Sequence, residues 1–262
     1  MDTTQDVSAS VNNAVYSAPR AVDEYTYYTL TRVETMTFLK YQPFIAGKNV
    51  LDIGVGAGRT SVYLAPLAKR YEGIDYSPAM VAYMKSAMPG ISIRQSDMRK
   101  LDAFPANQFD FVFASNNVLD DVNHDGRLQT LAEFRRVLRN DGVLVFLAHN
   151  RMWEHTASSP RLNFSRNPIR LVKSILLWLK QLANHAKIGK LRVVTDEYAI
   201  YNDEGHDFSA LHYYIEQRVQ RRQLNENGFS VVDVLDTFGR SITDEDAAKG
   251  SPSLMYVARK SS

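Results

Sequence analysis

Three alternate glycines give this sequence its clearest chemical signal. Gly54, Gly56 and Gly58 follow the apolar run at 50–53 and precede a helical pattern over 60–70. That order of strand, glycine loop and helix is typical of a nucleotide-type site at the carboxyl end of the first strand of an open α/β sheet. Glycine suits such a loop because a side chain would block a close ligand, and because these turns often need positive φ.

An aspartate beside the loop narrows the choice of ligand. The dinucleotide fingerprint Gly-x-Gly-x-x-Gly seats a pyrophosphate on a helix N-terminus. Here the position of its third glycine is occupied by Arg59, and Asp52 stands two residues before the first glycine. A carboxylate there would repel a pyrophosphate, whereas it would suit a ligand that carries an ammonium and a sulfonium. A nicotinamide dehydrogenase is therefore disfavoured.

This stretch resembles the first motif of the class I S-adenosylmethionine-dependent methyltransferases, Asp/Glu-x-Gly-x-Gly-x-Gly. Asp52, Gly54, Gly56 and Gly58 carry it here, and the resemblance continues motif by motif over residues 48–148. It implies that the cofactor is S-adenosyl-L-methionine and that the product is S-adenosyl-L-homocysteine.

A second acid follows at a fitting distance from the loop. Asp75 lies 21 residues after Gly54, at the end of the second predicted strand. Ser77 and Pro78 have the pattern of a helix N-cap followed by proline at the first helical position, so Asp75 precedes the cap. A carboxylate at the end of a parallel strand can accept both hydroxyls of a ribose. We expect Asp75 to do so, with Tyr76 and Met80 as apolar walls for the nucleoside.

The resemblance implies further cofactor residues. In the family, an aspartate after the third strand accepts the adenine amino group and the next backbone touches the ring, positions held here by Asp97 and Met98. An N-terminal helix often closes over the cofactor with a tyrosine, for which Tyr28 is the candidate. Asn116, at the end of the fourth predicted strand, completes the predicted cofactor set.

The resemblance also implies a fold. We expect a doubly wound Rossmann-like α/β domain with a seven-stranded sheet in the order 3-2-1-4-5-7-6, the last strand antiparallel, and a helical lid insertion. The predicted parts are an N-terminal arm and helix over the cofactor site (1–47), the S-adenosylmethionine-binding half of the sheet (48–150), a basic helical lid (151–206), and the segment that completes the same domain (207–262). Within these, residues 1–19 are expected to be a loose arm, and 19–41 and 208–227 to be helical.

Composition excludes several classes of chemistry. The 262 residues carry a formal net charge of +2 and include no cysteine, which excludes disulfides, thiolate nucleophiles and cysteine-ligated metals. The charge gives no reason to expect nucleic acid as a partner. The acidic, polar first residues are unlike a signal peptide, and no apolar run is long enough for a transmembrane helix. We expect a cytoplasmic protein, whose oligomeric state the sequence leaves open.

The insertion is the most individual part of the chain. Between His155 and Thr195 there are eight Lys or Arg and no acidic residue. A helical stretch over 169–188, opened by Pro168, carries a broad apolar stripe. We favour a cap helix packed over the active site, with Trp178 in its roof. The alternatives are peripheral contact with an anionic membrane or a lipid-linked or phosphorylated substrate, and a nucleic-acid face, which lacks aromatics interleaved with its charges.

Methyl transfer to a hydroxyl usually needs a general base, and histidine is the usual choice. His206, near the start of the last large helix, is our first candidate, and His149, at the end of the fifth predicted strand, is the second. The favoured reaction is O-methylation of a small or medium-sized acceptor of glycan, lipid-linked or secondary-metabolite type. N- or C-methylation of a lipid-like, quinone or amine acceptor, and non-catalytic S-adenosylmethionine binding, remain open.

A polar cluster after the fourth predicted strand could in principle hold a hard cation through oxygen ligands. It comprises Asp120, Asp121, Asn123, His124 and Asp125. We interpret it as a loop that caps the next helix, and we predict no metal.

Overall fold

A computed structural model describes residues 6–17, 19–154 and 159–261 of the chain. Two segments that bear on the sequence predictions lie outside the described residues. They are residues 1–5, whose polar character was unlike a signal peptide, and residues 155–158, at the start of the basic stretch. The described chain forms one ten-stranded sheet with helices packed on it.

Ten strands make up the sheet. In chain order they are β1 (Asn49–Ile53), β2 (Arg70–Asp75), β3 (Ile93–Gln95), β4 (Phe109–Ala114), β5 (Leu138–Asn150), β6 (Val193–Val194), β7 (Tyr198–Tyr201), β8 (His212–Ile215), β9 (Phe229–Leu235) and β10 (Ser253–Lys260).

Nine α-helices lie among the described residues. They are α1 (Val7–Tyr16), α2 (Pro19–Tyr25), α3 (Arg32–Tyr41), α4 (Ser61–Leu67), α5 (Pro78–Ala87), α6 (His124–Val137), α7 (Pro168–Ile188), α8 (Gln217–Glu226) and α9 (Glu245–Ala248).

Seven strands lie in the order β3-β2-β1-β4-β5-β10-β9, with β10 antiparallel to both of its neighbours. The Rossmann-like α/β prediction is therefore confirmed, but the expectation of exactly seven strands is wrong. The three additional strands β6, β7 and β8 come from the segment expected to be lid and helix. β8 pairs with the end of β5, where Tyr214 lies opposite His149.

The position of β8 follows from the length of β5. β4 pairs with β5 only as far as Ala114 opposite Phe146, while β10 covers the other edge of β5 as far as His149. The last residues of β5 are thus free on the β4 side, and β8 occupies that edge. β8 therefore lies beyond the carboxyl end of β4, which is where ligands bind in open α/β sheets.

Successive side chains of the central strands divide between two cores, as the pleat requires. In β4, Val112 and Ala114 belong to the core that includes Leu131 and Phe134 of α6, while Phe111 and Phe113 belong to the other core. Because both faces are covered, β4 is nearly continuous in apolar residues.

Three predicted elements differ in the structure. The expected loose arm is the helix α1, whose N-cap Asp6 accepts a hydrogen bond from the Ala9 backbone. The helix expected over 19–41 is interrupted, and α3 restarts at a capping box formed by Thr31 and Glu34. The helix expected over 208–227 begins only at Gln217, because the preceding residues, rich in tyrosine, pair as β8.

The apolar stripe of α7 is not packed as we expected. Ile188 is the only buried residue of this helix, and Ile169, Val172 and Leu176 are exposed. None of the described helices is long and apolar enough to cross a membrane.

Candidate functional site

The glycine loop follows β1 in left-handed conformations. Gly54, Gly56 and Gly58 have φ values of 67°, 53° and 89°, which L side chains rarely adopt. A Cβ at Gly54 would collide with Val118, and one at Gly58 with Met84, whereas one at Gly56 would meet nothing closer than Tyr25 at 3.9 Å. Gly56 therefore borders open space, while Gly58 serves the packing of α5 and does not line the cavities beside the loop.

Asp52 is not at the ligand site, contrary to the sequence prediction. Its side chain is buried under the loop, where it accepts hydrogen bonds from Thr60 Oγ1 at 2.9 Å, Ser61 Oγ at 3.2 Å and Tyr71 Oη at 2.8 Å. Burial raises its pKa to about 6, although these hydrogen bonds act in the opposite direction. Asp52 therefore joins β1 to the start of α4.

A first cavity of about 390 Å³ runs along the ends of β1, β2 and β3. Asp75 lines it and is buried, and its carboxylate accepts the backbone N–H groups of Gly56 and Ser77, both at 2.8 Å. Burial raises the pKa of Asp75, while those backbone hydrogen bonds lower it. Each carboxylate oxygen keeps a further lone pair, so Asp75 can accept hydrogen bonds from a ligand as well.

Asp97 and Met98 form the far wall of the first cavity, as predicted. Arg99 contacts both oxygens of Asp97, at 3.0 and 2.6 Å. Although partial burial opposes it, this guanidinium lowers the pKa of Asp97. Helix α1 covers the same cavity through Asn12, whose amide bonds the Leu211 backbone at 2.7 and 2.8 Å.

A smaller second cavity lies against the glycine loop. Six of the predicted cofactor residues line it: Gly54, Gly56, Asp75, Tyr76, Met80 and Asn116. Tyr28 does not belong to this group. It is 49% exposed and lines a third cavity, whereas Tyr16 and Tyr25 are the tyrosines beside the glycine loop.

The third cavity, of about 560 Å³, opens beyond the ends of β4 and β5. Aromatic, imidazole and carboxylate side chains line it, together with Arg59, which is paired with the buried Glu34. Arg59 and Asn116 line the second and third cavities alike. The two spaces are therefore neighbours across these side chains.

Asp121 is the side chain that lines all three cavities. Its Oδ1 accepts the Tyr16 hydroxyl at 3.2 Å and lies 4.0 Å from Nε2 of His212. Burial raises the pKa of Asp121 to about 7, opposed by His212 and assisted by Asp120. The neighbouring groups only partly offset the cost of burying this charged carboxylate. Asp121 is therefore suited to meet a cationic group of a ligand at the junction of the cavities.

His149 lines the third cavity and is held by a buried carboxylate. Oδ2 of Asp120 lies 2.9 Å from His149 Nδ1 and accepts the His149 backbone N–H at 2.7 Å. Oδ1 of Asp120 is paired with Arg127 at 2.5 Å, and both side chains are fully buried. The pairing assigns the imidazole proton to Nδ1, which leaves Nε2 as an acceptor. The Asn117 amide lies 3.1 Å from that Nε2.

A second histidine–carboxylate pair lies on the additional strands. His212 Nδ1 is 2.9 Å from Oδ2 of Asp203, which also accepts the hydroxyl of Tyr214. Burial opposes charge on His212, but Asp203 outweighs it and raises the pKa of His212 to about 9. In turn His212 holds the pKa of Asp203 far below its usual range despite burial. The pair is ionised at neutral pH.

His206, the first candidate for the base, lacks such a partner carboxylate. Its Nε2 lies 3.4 Å from the Tyr25 hydroxyl, and its backbone is left-handed with φ at 49°. Burial lowers its pKa. It lines the third cavity, but no carboxylate orients its ring.

His149, Asp203 and His212 are close enough to be considered as a metal site. One ligand atom from each lies within 4.8 Å of the others. However, Nδ1 of His212 and Oδ2 of Asp203 already bond each other, and the same oxygen accepts the hydroxyl of Tyr214. Members of the polar cluster at 120–125, considered above as a possible cation site, have other partners. Asp120 pairs with Arg127, and Asn123 caps α6.

Sequence reasoning missed three acids of the site, namely Asp121 and Asp203, which line the third cavity, and Asp120, which is buried behind His149. Asp120 and Asp121 were visible only as part of a polar loop, and Asp203 had no pattern around it. One signal in the sequence could have indicated Asp120 and Asp121. They come shortly after a buried strand, and residues in that position border the edge of the sheet where ligands bind.

Comparisons with known proteins agree with this geometry. Residues 50–142 match a family model described as a methyltransferase domain. The chain is 32% identical over 107 residues to a protein of Mycolicibacterium smegmatis assigned as an S-adenosylmethionine-dependent methyltransferase, over 41% of this chain and 40% of that protein. A Geobacillus protein named as a methyltransferase is 27% identical over 224 residues, which cover 81% of this chain and 85% of the relative. The chain thus spans about two fifths of the first relative's length.

A solved structure resembles the whole chain. It is the 1,6-didemethyltoxoflavin-N1-methyltransferase of Burkholderia thailandensis, with bound 1,6-didemethyltoxoflavin and S-adenosylhomocysteine. The TM-score is 0.62 at 16% identity, over 100% of this chain and 94% of the other. At that identity the likeness concerns the fold.

Proposed function

We propose a reaction for this chain on the premise that it carries a class I S-adenosylmethionine-dependent methyltransferase domain and uses S-adenosylmethionine as its cofactor. The proposed reaction is transfer of the methyl group to a hydroxyl of a molecule bound in the third cavity. The observation that carries this proposal is that His149 borders that cavity and is oriented there by the bond between its Nδ1 and Asp120.

The residues around the first two cavities fit the cofactor. Gly56 leaves open the space that a Cβ would enter, and Asp75 is a buried acceptor between the two cavities. We assign the adenine to the Asp97 and Met98 wall, the ribose to Asp75, and the methionine part to the glycine loop beside Asn116. Asp121 is our candidate for the acid that meets the cofactor's positive charge, in place of Asp52.

The cofactor supplies an activated methyl group, which a nucleophile displaces from sulfur in line. The chain mainly has to align the acceptor oxygen, a contribution that can reach roughly 7 to 11 kcal/mol. His149 Nε2 would take the proton of the acceptor hydroxyl as that oxygen is methylated, and the acceptor would displace the Asn117 amide, which lies 3.1 Å from Nε2. Asp120 then stabilises the imidazolium through Nδ1, as an orienting carboxylate does in other histidine-based sites.

The lining of the third cavity supports an acceptor rich in hydroxyl groups. Its volume, about 560 Å³, is within the range of small-molecule sites. Carboxylates and tyrosines can bond several hydroxyls, and aromatic rings can pack on the apolar face of a sugar or a polycyclic ring. We therefore infer a glycan-like or secondary-metabolite acceptor, either free or linked to a lipid.

A second candidate function is N-methylation of an amine. The described residues that line the third cavity include Glu24, Asp121, Asp203 and Glu204, against the cations of Arg59 and His212. That excess of carboxylates would attract an ammonium ion. C-methylation and cofactor binding without turnover have no such observation in their favour.

Release of S-adenosylhomocysteine tests the proposal. The purified full chain is incubated with S-adenosylmethionine and panels of glycosides, phenols and amines, and release is followed by mass spectrometry. Methylation at oxygen that depends on His149 would support the proposed reaction. Methylation at nitrogen would favour the second candidate, and absence of turnover with cofactor bound would leave a binding protein.

A further inference from the structure

Helix α7 and the loop before it form a surface with charge of one sign. Over 159–195, which the structure describes completely, seven cations precede Arg192, and Asp and Glu are absent. Lys180 is paired with Asp207. The other six cations make no ion pair with any described residue: Arg161, Arg166, Arg170, Lys173, Lys187 and Lys190.

The same surface exposes a continuous apolar stripe. Ile169, Val172, Leu176 and Leu179 follow one another at steps of three and four residues, so they share one side of the helix. Ile169 is 68% exposed and Leu176 is 62% exposed, and Phe164 in the preceding loop is 85% exposed. Residues 159–190, taken together, are called the α7 surface below.

The helix is attached to the protein by polar contacts instead. Lys180 Nζ lies 2.6 Å from Asp207 Oδ2, the Asn184 amide donates to the Asp207 carbonyl at 2.9 Å, and the Asn202 amide lies 3.3 Å from His185 Nδ1. Ile188 is the residue that this helix contributes to a hydrophobic core, and that core is the smallest of the three. The side of α7 that carries Lys180, Asn184 and Ile188 therefore faces the domain, and the stripe of exposed aliphatic residues faces outwards.

We propose that the α7 surface docks on an anionic lipid bilayer, with the stripe and Phe164 in the headgroup boundary and the cations among the lipid phosphates. A helix with one apolar side and a strongly basic polar side is the kind that lies in such an interface. Each Lys or Arg near an anionic leaflet adds attraction that falls off within the Debye length. This docking is a separate property from the methyl-transfer reaction proposed above.

The charges argue against the other occupants of this face. A two-fold contact between two copies would bring α7 against α7 and so place cations opposite cations, which is repulsive. A nucleic acid would use the cations but would leave the aliphatic stripe in water, since stacking on bases requires aromatic rings.

Co-sedimentation with vesicles tests the proposal on the full chain, without acceptor or cofactor. We expect binding to phosphatidylglycerol–phosphatidylcholine vesicles at about 0.15 M salt, and none to phosphatidylcholine alone. The triple variant Val172→Ser, Leu176→Ser, Leu179→Ser should lose about tenfold or more of the affinity, because it removes the inserted apolar area. These residues are exposed, so its thermal unfolding should match that of the parent.

Charge variants provide the matched control. Lys173→Gln, Lys187→Gln, Lys190→Gln should weaken binding about tenfold or more. Lys48→Gln, Lys69→Gln, Lys85→Gln, which removes the same charge from exposed positions elsewhere, should leave binding unchanged. Three results would overturn the proposal. They are an equal loss of affinity in the two charge variants, an affinity of the serine variant equal to that of the parent, and absence of binding to anionic vesicles. A dimer in solution that the serine variant dissociates would also overturn it.

Discussion

The carboxylate of Asp120 contacts His149 twice, at Nδ1 and at the backbone nitrogen, at 2.9 and 2.7 Å. The ring and the end of β5 are thereby fixed by the same oxygen atom. Because Arg127 pairs with the other oxygen of Asp120 in a fully buried position, the carboxylate cannot turn away. This is the arrangement that a general base needs, since its ring must keep one orientation while the acceptor changes.

The first prediction separates the two candidate bases. His149→Ala should lower turnover by roughly 10² to 10⁴, because no other side chain would take the acceptor's proton. Its affinity for S-adenosylmethionine, measured by calorimetry, should stay close to that of the parent. His206→Ala is the matched control and should retain most turnover. If His206→Ala loses turnover while His149→Ala keeps it, the base is His206.

The second prediction concerns the glycine loop. Gly56→Val should abolish measurable S-adenosylmethionine binding, because the side chain would enter the second cavity and the left-handed backbone would cost about 1 to 2 kcal/mol. Gly90→Val is the control, since Gly90 has open space around it and is outside the left-handed region. Calorimetry that gave Gly56→Val the parent's affinity would remove the loop from the cofactor site.

The third prediction uses the carboxyl group at the junction of the cavities. The pKa of Asp121 is raised to about 7, so its charge is present above that pH and lost below it. Affinity for the cationic S-adenosylmethionine should therefore increase by about tenfold as the pH rises through 7, because opposite charges attract in a poorly solvated site. Asp121→Asn should abolish the pH dependence. A parent affinity that is independent of pH would contradict this assignment.

The fourth prediction concerns stability. In the folded protein the carboxylate of Asp203 outweighs the effect of burial and raises the pKa of His212 from its usual 6.5 to about 9. The folded state therefore binds the extra proton, and this stabilisation is complete below about pH 6.5 and lost as the pH rises through about 9. The free energy of unfolding should fall by about 1 to 3 kcal/mol over that interval. In His212→Gln the corresponding loss should be absent, as urea unfolding at several pH values would reveal.

The fifth prediction addresses metal. Chelation by EDTA should leave turnover unchanged, because His212 is held in its protonated form by Asp203 and a protonated imidazole has no lone pair for a metal. Turnover that disappears with EDTA and returns with one divalent cation would show instead that His149, Asp203 and His212 are ligands.

Much of the fold was predictable because the motif strands are local signals. β1 is followed directly by Gly54, β2 ends in Asp75, and β4 is a nearly continuous apolar run, so each of the three can be recognised from its own residues. The additional strand β8 was missed because His212, Tyr213, Tyr214 and Ile215 are compatible with a helix as well as a strand. Pairing with β7 and with the end of β5 decides between them, and that contact is not local in sequence.

The candidate site was predictable in its cofactor half and less so elsewhere. Asp75, Asp97 and Asn116 follow predicted strands, so their place at the ligand edge follows from topology. Asp52 also lies at a strand end, but its side chain points beneath the loop towards Thr60, a direction that strand position alone does not determine. The partner of His149 is 29 residues away along the chain, and only the folded sheet brings the two together.

The three additional strands have an evolutionary consequence. They carry His212 and Tyr214 to the third cavity, yet β8 is joined to the main sheet only at His149 opposite Tyr214 and Asn150 opposite Ile215. The residues assigned to the cofactor come from other elements, β2, β3, β4 and the glycine loop. On the proposed assignment, sequence change within 193–215 that keeps Leu211 bonded to Asn12 and His212 beside Asp121 should alter acceptor preference and leave the cofactor residues in place, so homologues that share this glycine loop need not share a substrate.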